Sequence, residues 1–307
     1  MDTKTIKICV LSGGGLKGLL TCQMLINFQK NIAKCPLNEY FDIIIGSSTG
    51  AIEGSLLAGG YDPVDVKNFY LQYGKSIFTP QNNWLTFWRK LTRPIYDRDR
   101  VLTPIKENLN KKGIYKLSDI KKCEYISTAV DVFTKRNVLF SSKDASFADV
   151  DIDNIVARSF AAPYYFGLLE VPKEYKIYSD GGTGLANLPA IWGIIEALPN
   201  ITIDDKIELT AFGTGYYEEV ITYEDAKKYN NIDQVWNVFL ADGDTLSRQQ
   251  ARREQISLLE EMDAKLKSFT FHYYDTPIPK NLDTMDGVKY MDDYIKLGDS
   301  VIFDMAT

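Results

Sequence analysis

The chain has 307 residues, 45% of them apolar, enough to bury a substantial core and to form one large α/β domain or two small ones. Its net charge of −6 at pH 7 gives no general attraction to nucleic acid or to anionic lipid. No apolar run approaches the roughly 18 residues of a membrane-spanning helix, and no repeat, low-complexity tract or Pro/Ser-rich linker divides the chain.

Residues Thr5 to Leu11 read as a buried strand. Ser12-Gly13-Gly14-Gly15-Leu16-Lys17-Gly18 follows. A helix comes next, with Leu16, Leu19, Leu20, Met24, Leu25 and Phe28 on one stripe. A glycine run at a helix N-terminus exposes backbone N–H groups beside the positive end of the helix dipole. Such a place holds an anion, either a phosphate or the oxyanion of a tetrahedral intermediate. Gly13, Gly15 and Gly18 also fit the dinucleotide pattern G-x-G-x-x-G. That pattern expects a carboxylate about 20 residues on, at the end of the second strand. Here the second strand ends in Ile45-Gly46-Ser47, with no carboxylate for a ribose. The glycine run is not a P-loop, because Gly18 is followed by Leu19 and not by Lys-Ser/Thr.

The second strand reads as Phe41 to Ile45. It runs into Gly46-Ser47-Ser48-Thr49-Gly50 and then a small-residue helix, Ala51 to Leu57. A serine in G-x-S-x-G between strand and helix is held on a strained elbow, with its hydroxyl pushed out above the sheet. The flanking Gly46 and Gly50 let the turn pack closely on both elements. Ser48 is the best candidate nucleophile in the chain.

From Trp84 to Arg100, aromatic and basic residues interleave. Trp84, Phe87, Trp88, Arg89 and Lys90 suit a membrane interface, with rings at headgroup depth and cations near phosphates. The plainer reading is a loop and short helix packing Trp84, Phe87, Trp88 and Leu91 on the core. Further on, a short strand from Tyr175 to Ser179 leads into Asp180-Gly181-Gly182 and an apolar helix, Leu185 to Leu198. Alone, D-G-G marks a turn. Beside the other two motifs it suggests a division of labour: glycines supply an oxyanion site, Ser48 attacks and Asp180 takes the proton. The last hundred residues add helices, such as Asp244 to Lys267, and a strand near Phe269 to Tyr273.

Strand and helix patterns alternate, so the expected sheet is mostly parallel and covered on both faces, in one domain. Cys9, Cys22, Cys35 and Cys123 lack metal-ligand spacing and read as free thiols in a reducing compartment. The N-terminus does not resemble a secretory signal. A cytoplasmic location with peripheral membrane contact is expected, or secretion by a route needing no such signal. The single histidine, His272, follows Ser48 and Asp180 in the order of an α/β-hydrolase triad. It falls inside a strand pattern beside Thr270 and Tyr274, where a structural or surface role is the expectation.

With these three motifs in this order, the chain resembles the patatin-like phospholipase family. The resemblance rests on Ser12 to Gly18, on Gly46 to Gly50 and on Asp180-Gly181-Gly182. Softer support comes from Tyr125 to Phe140, from Ala157 to Phe166 and from Leu209 to Gly215. It spans about residues 5 to 215, the motif-bearing core, with 216 to 307 as C-terminal helices and a strand. It implies a three-layer α/β/α sandwich and a Ser48–Asp180 dyad without histidine. The oxyanion donors would come from Gly13 to Gly15, with Thr49 as a further one. Gly18, Gly46, Gly50, Gly181 and Gly182 are then motif-supporting. The chain departs from the pattern at Lys17, where an arginine is common. No metal or cofactor is required by this chemistry, and no calcium loop is present. The implied partner is a phospholipid or other acyl-ester lipid, with head group, acyl position and oligomeric state left open. Two alternatives stand beside it: a nucleotide-binding α/β protein using the glycine loop, and a catalytically silent relative that binds lipid or a partner.

Overall fold

The computed structural model describes residues 3–80, 94–184, 186–202, 204–217, 222–228 and 246–303. In chain order the elements are β1 (Thr5–Leu11), α1 (Gly18–Phe28), α2 (Leu37–Tyr40), β2 (Ile43–Ser47), α3 (Thr49–Ala58) and α4 (Pro63–Ile77). There follow α5 (Asp99–Lys111), β3 (Glu124–Asp131), β4 (Arg136–Ser141), α6 (Ile152–Ser159), β5 (Leu169–Val171) and β6 (Lys176–Asp180). The chain continues through α7 (Ala190–Ala197), β7 (Lys206–Phe212), α8 (Tyr223–Ala226), α9 (Leu246–Lys265), β8 (Phe269–Tyr274) and α10 (Met291–Asp299).

The strands form one sheet in the order β5-β6-β3-β2-β1-β7-β8, with β4 also on β3. The five strands from β3 to β8 along that order pair in parallel, and β4, β6 and β5 add antiparallel pairs at one end. Apolar side chains alternate to both faces of β1, as a strand covered on both sides requires. Ile6, Ile8 and Val10 pack with Ile194 of α7 and Leu259 of α9. Cys9 and Leu11 pack with α1, α3, α4, α5 and α6 on the other face. The result is the expected three-layer α/β/α arrangement. No described helix is long and apolar enough to cross a membrane.

Two features of this sheet position the site. The strand order reverses at β1, which lies between β2 and β7, and the glycine run leaves the C-terminal end of β1 at that crevice. The second feature concerns β3. It pairs with β2 as far as Ser47 opposite Thr128, and β6 takes over from Asp180 opposite Ala129. Because β4 pairs with β3 along both stretches, β2 and β6 share its other edge. The end of β2 therefore abuts the end of β6, although 132 residues separate Ser48 from Asp180.

Some boundaries differ from the sequence pattern. The second strand runs two residues later than expected, since Phe41 closes α2 and stacks on Phe28 in the core. The helix expected from Leu185 begins at Ala190, because a residue before Pro189 is pushed away from helical backbone. The stretch Trp84 to Lys90, with Phe87, Trp88 and Arg89, lies outside the described residues.

Candidate active site

Ser48 stands between β2 and α3 with φ 53° and ψ −119°, a conformation rarely adopted by a residue with a side chain. Such backbone costs on the order of 1–3 kcal/mol and persists only where its surroundings enforce it. Gly46 and Gly50 allow the tight turn, since a Cβ on Gly46 would sit 2.1 Å from the Gly50 carbonyl oxygen. The Ser48 N–H donates to Ser159 Oγ at 2.9 Å. Its hydroxyl donates to Asp180 Oδ2 at 2.6 Å, and both side chains are buried.

Asp180 ends β6. Its Oδ1 accepts the Gly182 N–H at 2.6 Å, and its own N–H donates to the Ala161 carbonyl at 3.0 Å. One short segment, Ser159 to Ala161, thus holds the backbone of both residues. That segment is braced by Arg158, which is buried over the rings of Phe140 and Tyr178 and paired with Glu174 at 2.6 Å. Gly181 packs against Thr128 and Ser47, where a Cβ would lie 2.4 Å from Thr128 Oγ1.

The glycine run lies alongside the serine. Gly13 was expected to donate to an oxyanion. Its N–H instead donates to the Asn187 carbonyl at 3.0 Å, so that donor is already taken. Its carbonyl accepts from Thr214 Oγ1 at 3.0 Å and from Asn187 Nδ2 at 3.4 Å. Among the described residues no acceptor is assigned to the N–H of Gly14 or Gly15. Gly15 has φ 62°, and a Cβ there would meet the Met285 carbonyl oxygen at 2.2 Å. Thr49, the first residue of α3, ties elbow to glycine run by donating its hydroxyl to the Gly15 carbonyl at 2.9 Å. Lys17 points the other way and pairs with Asp283 at 2.6 Å.

Ser48, Asp180 and Gly15 border a pocket. Its other walls are almost wholly apolar, built from Ile52, Phe69, Ile77, Phe160, Phe166 and Met285 among others. A few polar groups converging on one wall of an apolar pocket are the arrangement of a small-molecule site. His272 is not part of it. It lies on β8 at the sheet edge, three strands from β2, with its ring stacked beside Tyr274.

A family model described as patatin-like phospholipase matches residues 9–191. The chain belongs to the patatin-like phospholipase family. Patatin-like protein 2 of Oryza sativa subsp. indica is 23% identical over 232 residues, covering 68% of this chain and 57% of that protein. A cGAMP-activated phospholipase of Escherichia coli is 25% identical over 215 residues, covering 66% of this chain and 59% of that protein. The chain thus spans a little under three fifths of the length of these curated relatives. Among solved structures, VipD from Legionella pneumophila aligns with a TM-score of 0.42 and 14% identity, over 95% of this chain and 66% of that one.

In this patatin-like chain several site residues carry no sequence signal of their own. Ser159 and Thr214 each hold a motif residue through one hydrogen bond, and Asn187 holds Gly13 through two. Met285 lies far beyond the matched region yet walls the cavity, and its carbonyl accepts the Leu16 N–H at 2.8 Å. Thr214 and Ser159 lie within stretches whose likeness to the family was visible. Met285 and Asn187 do not.

Proposed function

We propose that this chain hydrolyses carboxylic esters of phospholipids or lysophospholipids through a Ser48–Asp180 dyad and an acyl-enzyme. The observation that carries the reading is the 2.6 Å hydrogen bond from Ser48 Oγ to Asp180 at the wall of an apolar cavity. The family description and the name of the cGAMP-activated phospholipase support a lipid ester as the substrate class.

That geometry supports the following steps. Ser48 Oγ attacks the ester carbonyl carbon as Asp180 Oδ2 accepts its proton. The carbonyl oxygen becomes an oxyanion and accepts from the N–H groups of Gly14 and Gly15, with Thr49 N–H at the start of α3 as a further donor. Collapse of the tetrahedral intermediate expels the alcohol, which takes the proton from Asp180. A water then gives its proton to Asp180 and attacks the acyl-enzyme. The fatty acid leaves and Ser48 regains its proton. These steps call on no metal or cofactor, so a chelator should leave turnover unchanged.

The C-terminal residues supply Met285 to the cavity, which supports reading the whole chain as one catalytic unit. Substrate in a bilayer calls for peripheral contact, for which Trp84, Phe87, Trp88, Arg89 and Lys90 are the best stretch by composition. The dinucleotide reading has no carboxylate to offer a ribose at the end of β2.

The test is mass spectrometry of the products from a mixed phospholipid and lysophospholipid panel. Free fatty acid should appear with the wild type and not with Ser48→Ala. Equal fatty-acid release by Ser48→Ala, or release of the phosphate-bearing head group in its place, overturns the reading.

A further inference from the structure

Directly behind the nucleophile lies a cluster that the mechanism above does not use. Glu53 is completely buried on α3, one turn after Thr49 and on the same helix face. Tyr70 of α4 and Cys22 of α1 close around it, and both are buried. The Tyr70 hydroxyl lies 2.5 Å from Thr49 Oγ1, which in turn donates to the Gly15 carbonyl at 2.9 Å. Cys22 Sγ points at Glu53 Oε1 from 3.9 Å. All these groups converge on Gly18, the last glycine of the run. A Cβ there would lie 2.3 Å from Glu53 Oε1, 3.0 Å from Thr49 Oγ1 and 3.1 Å from Tyr70 Oη.

A carboxyl group in such a place needs an explanation. None of the described ion pairs involves Glu53, and its Oε2 has no hydrogen-bond partner among the described residues. Burial raises its carboxyl well above the ordinary value, while Tyr70 and Cys22 act in the opposite direction. Tyr70 is itself raised by burial and then by Glu53. A protonated carboxyl puts no negative charge beside the tyrosine hydroxyl. The tyrosine can then spend its own proton on Thr49 Oγ1, which leaves the threonine proton for Gly15. An ionised carboxylate would instead draw the tyrosine proton away from Thr49.

We infer that Glu53 and Tyr70 are positioning residues for the reaction: they orient Thr49 and thereby hold the Gly15 carbonyl, fixing the glycine run where its N–H groups meet the oxyanion. Neither residue exchanges a proton with substrate. The inference rests on the Ser48–Asp180 reading. It assigns a role to Gly18 as well, namely to leave room for this cluster.

The test compares Glu53→Leu, Glu53→Gln and Tyr70→Phe with the wild type and Ser48→Ala. The readouts are kcat and KM on a short-chain soluble ester, the rate of Ser48 labelling by a fluorophosphonate, and the thermal midpoint. Displacement of a reacting geometry by a fraction of an ångström to 1 Å lowers turnover by about 10- to 100-fold. Glu53→Leu and Tyr70→Phe should lose kcat and labelling rate on that scale, with KM within about 3-fold of wild type, because the oxyanion exists only in the transition state. Glu53→Gln should recover most of the turnover lost in Glu53→Leu, since the amide keeps the size, the polar head and the neutral charge of the protonated acid. If Glu53→Leu fails to fold, Tyr70→Phe decides alone, as it removes one oxygen and keeps the ring. Wild-type kcat in folded Tyr70→Phe, or equal loss in Glu53→Gln and Glu53→Leu, overturns the inference. If Ser48→Ala also keeps wild-type kcat, the dyad reading itself has failed.

Discussion

A single methyl group at Gly14 tests the oxyanion assignment at its narrowest point. An alanine Cβ there would lie 2.3 Å from Thr214 Oγ1, 2.6 Å from its Cβ and 2.9 Å from its Cγ2. These separations are roughly 1 Å inside ordinary van der Waals contact. Thr214 is a short, buried side chain, and its hydroxyl is committed to the Gly13 carbonyl at 3.0 Å. The strain must therefore appear in the glycine run. The Gly14 and Gly15 N–H groups then lose their aim. Loss of one oxyanion donor typically costs roughly 3–4 kcal/mol, or 10²- to 10³-fold in kcat. KM should change little, because the charge those donors meet develops after binding. The assay is steady-state kinetics on a short-chain soluble ester, with the thermal midpoint as a check on folding. Thr214→Gly removes all three clashing atoms, so the Gly14→Ala, Thr214→Gly pair should recover part of the loss and the two changes should not add. Wild-type kcat in folded Gly14→Ala, or a loss confined to KM, would refute the assignment.

Three further outcomes follow from the same geometry. His272→Ala should keep most activity; a loss of about 10³-fold in a folded variant would point to a triad in place of the dyad. Because burial raises Glu53 above its ordinary value of 4.5, the native state keeps a proton that the unfolded chain releases. That contribution to stability is complete below pH 4.5 and declines as pH rises toward the native value, by at most about 1.4 kcal/mol per unit. The thermal midpoint of Glu53→Gln should therefore gain on the wild type as pH rises above about 4.5, and a constant difference contradicts this. Finally, Trp84→Ala with Trp88→Ala should reduce activity on vesicles and spare the soluble ester. Equal loss on both, with a lowered midpoint, assigns these residues to packing.

The parts of the site that one stretch of backbone dictates were readable in advance. Gly46 to Gly50 specifies its own elbow, and Gly13 to Gly18 specifies a turn into a helix, so Ser48 and the glycine run stood out without tertiary knowledge. The β1 span and the stripe from Leu16 to Phe28 were legible because alternation and helical spacing are local. What was hidden depends on meetings between distant residues. That the Gly13 N–H is taken follows from Asn187, 174 positions away, packing beside it. The juxtaposition of Ser48 with Asp180 needs β6 to share an edge of β3 with β2, and no pattern within either strand encodes that. Glu53 reads as an ordinary helix residue until α1 and α4 close over it. Pro189 did carry a signal for a later helix start, against which the apolar pattern from Leu185 argued.

The central claim is that Ser48, made nucleophilic by Asp180, forms a covalent intermediate. Fluorophosphonate labelling read by peptide mass spectrometry addresses it directly. The probe should modify Ser48 alone, and Asp180→Asn should slow that modification by orders of magnitude in a folded protein. Modification of another serine, or labelling of Asp180→Asn at the wild-type rate, would contradict the account.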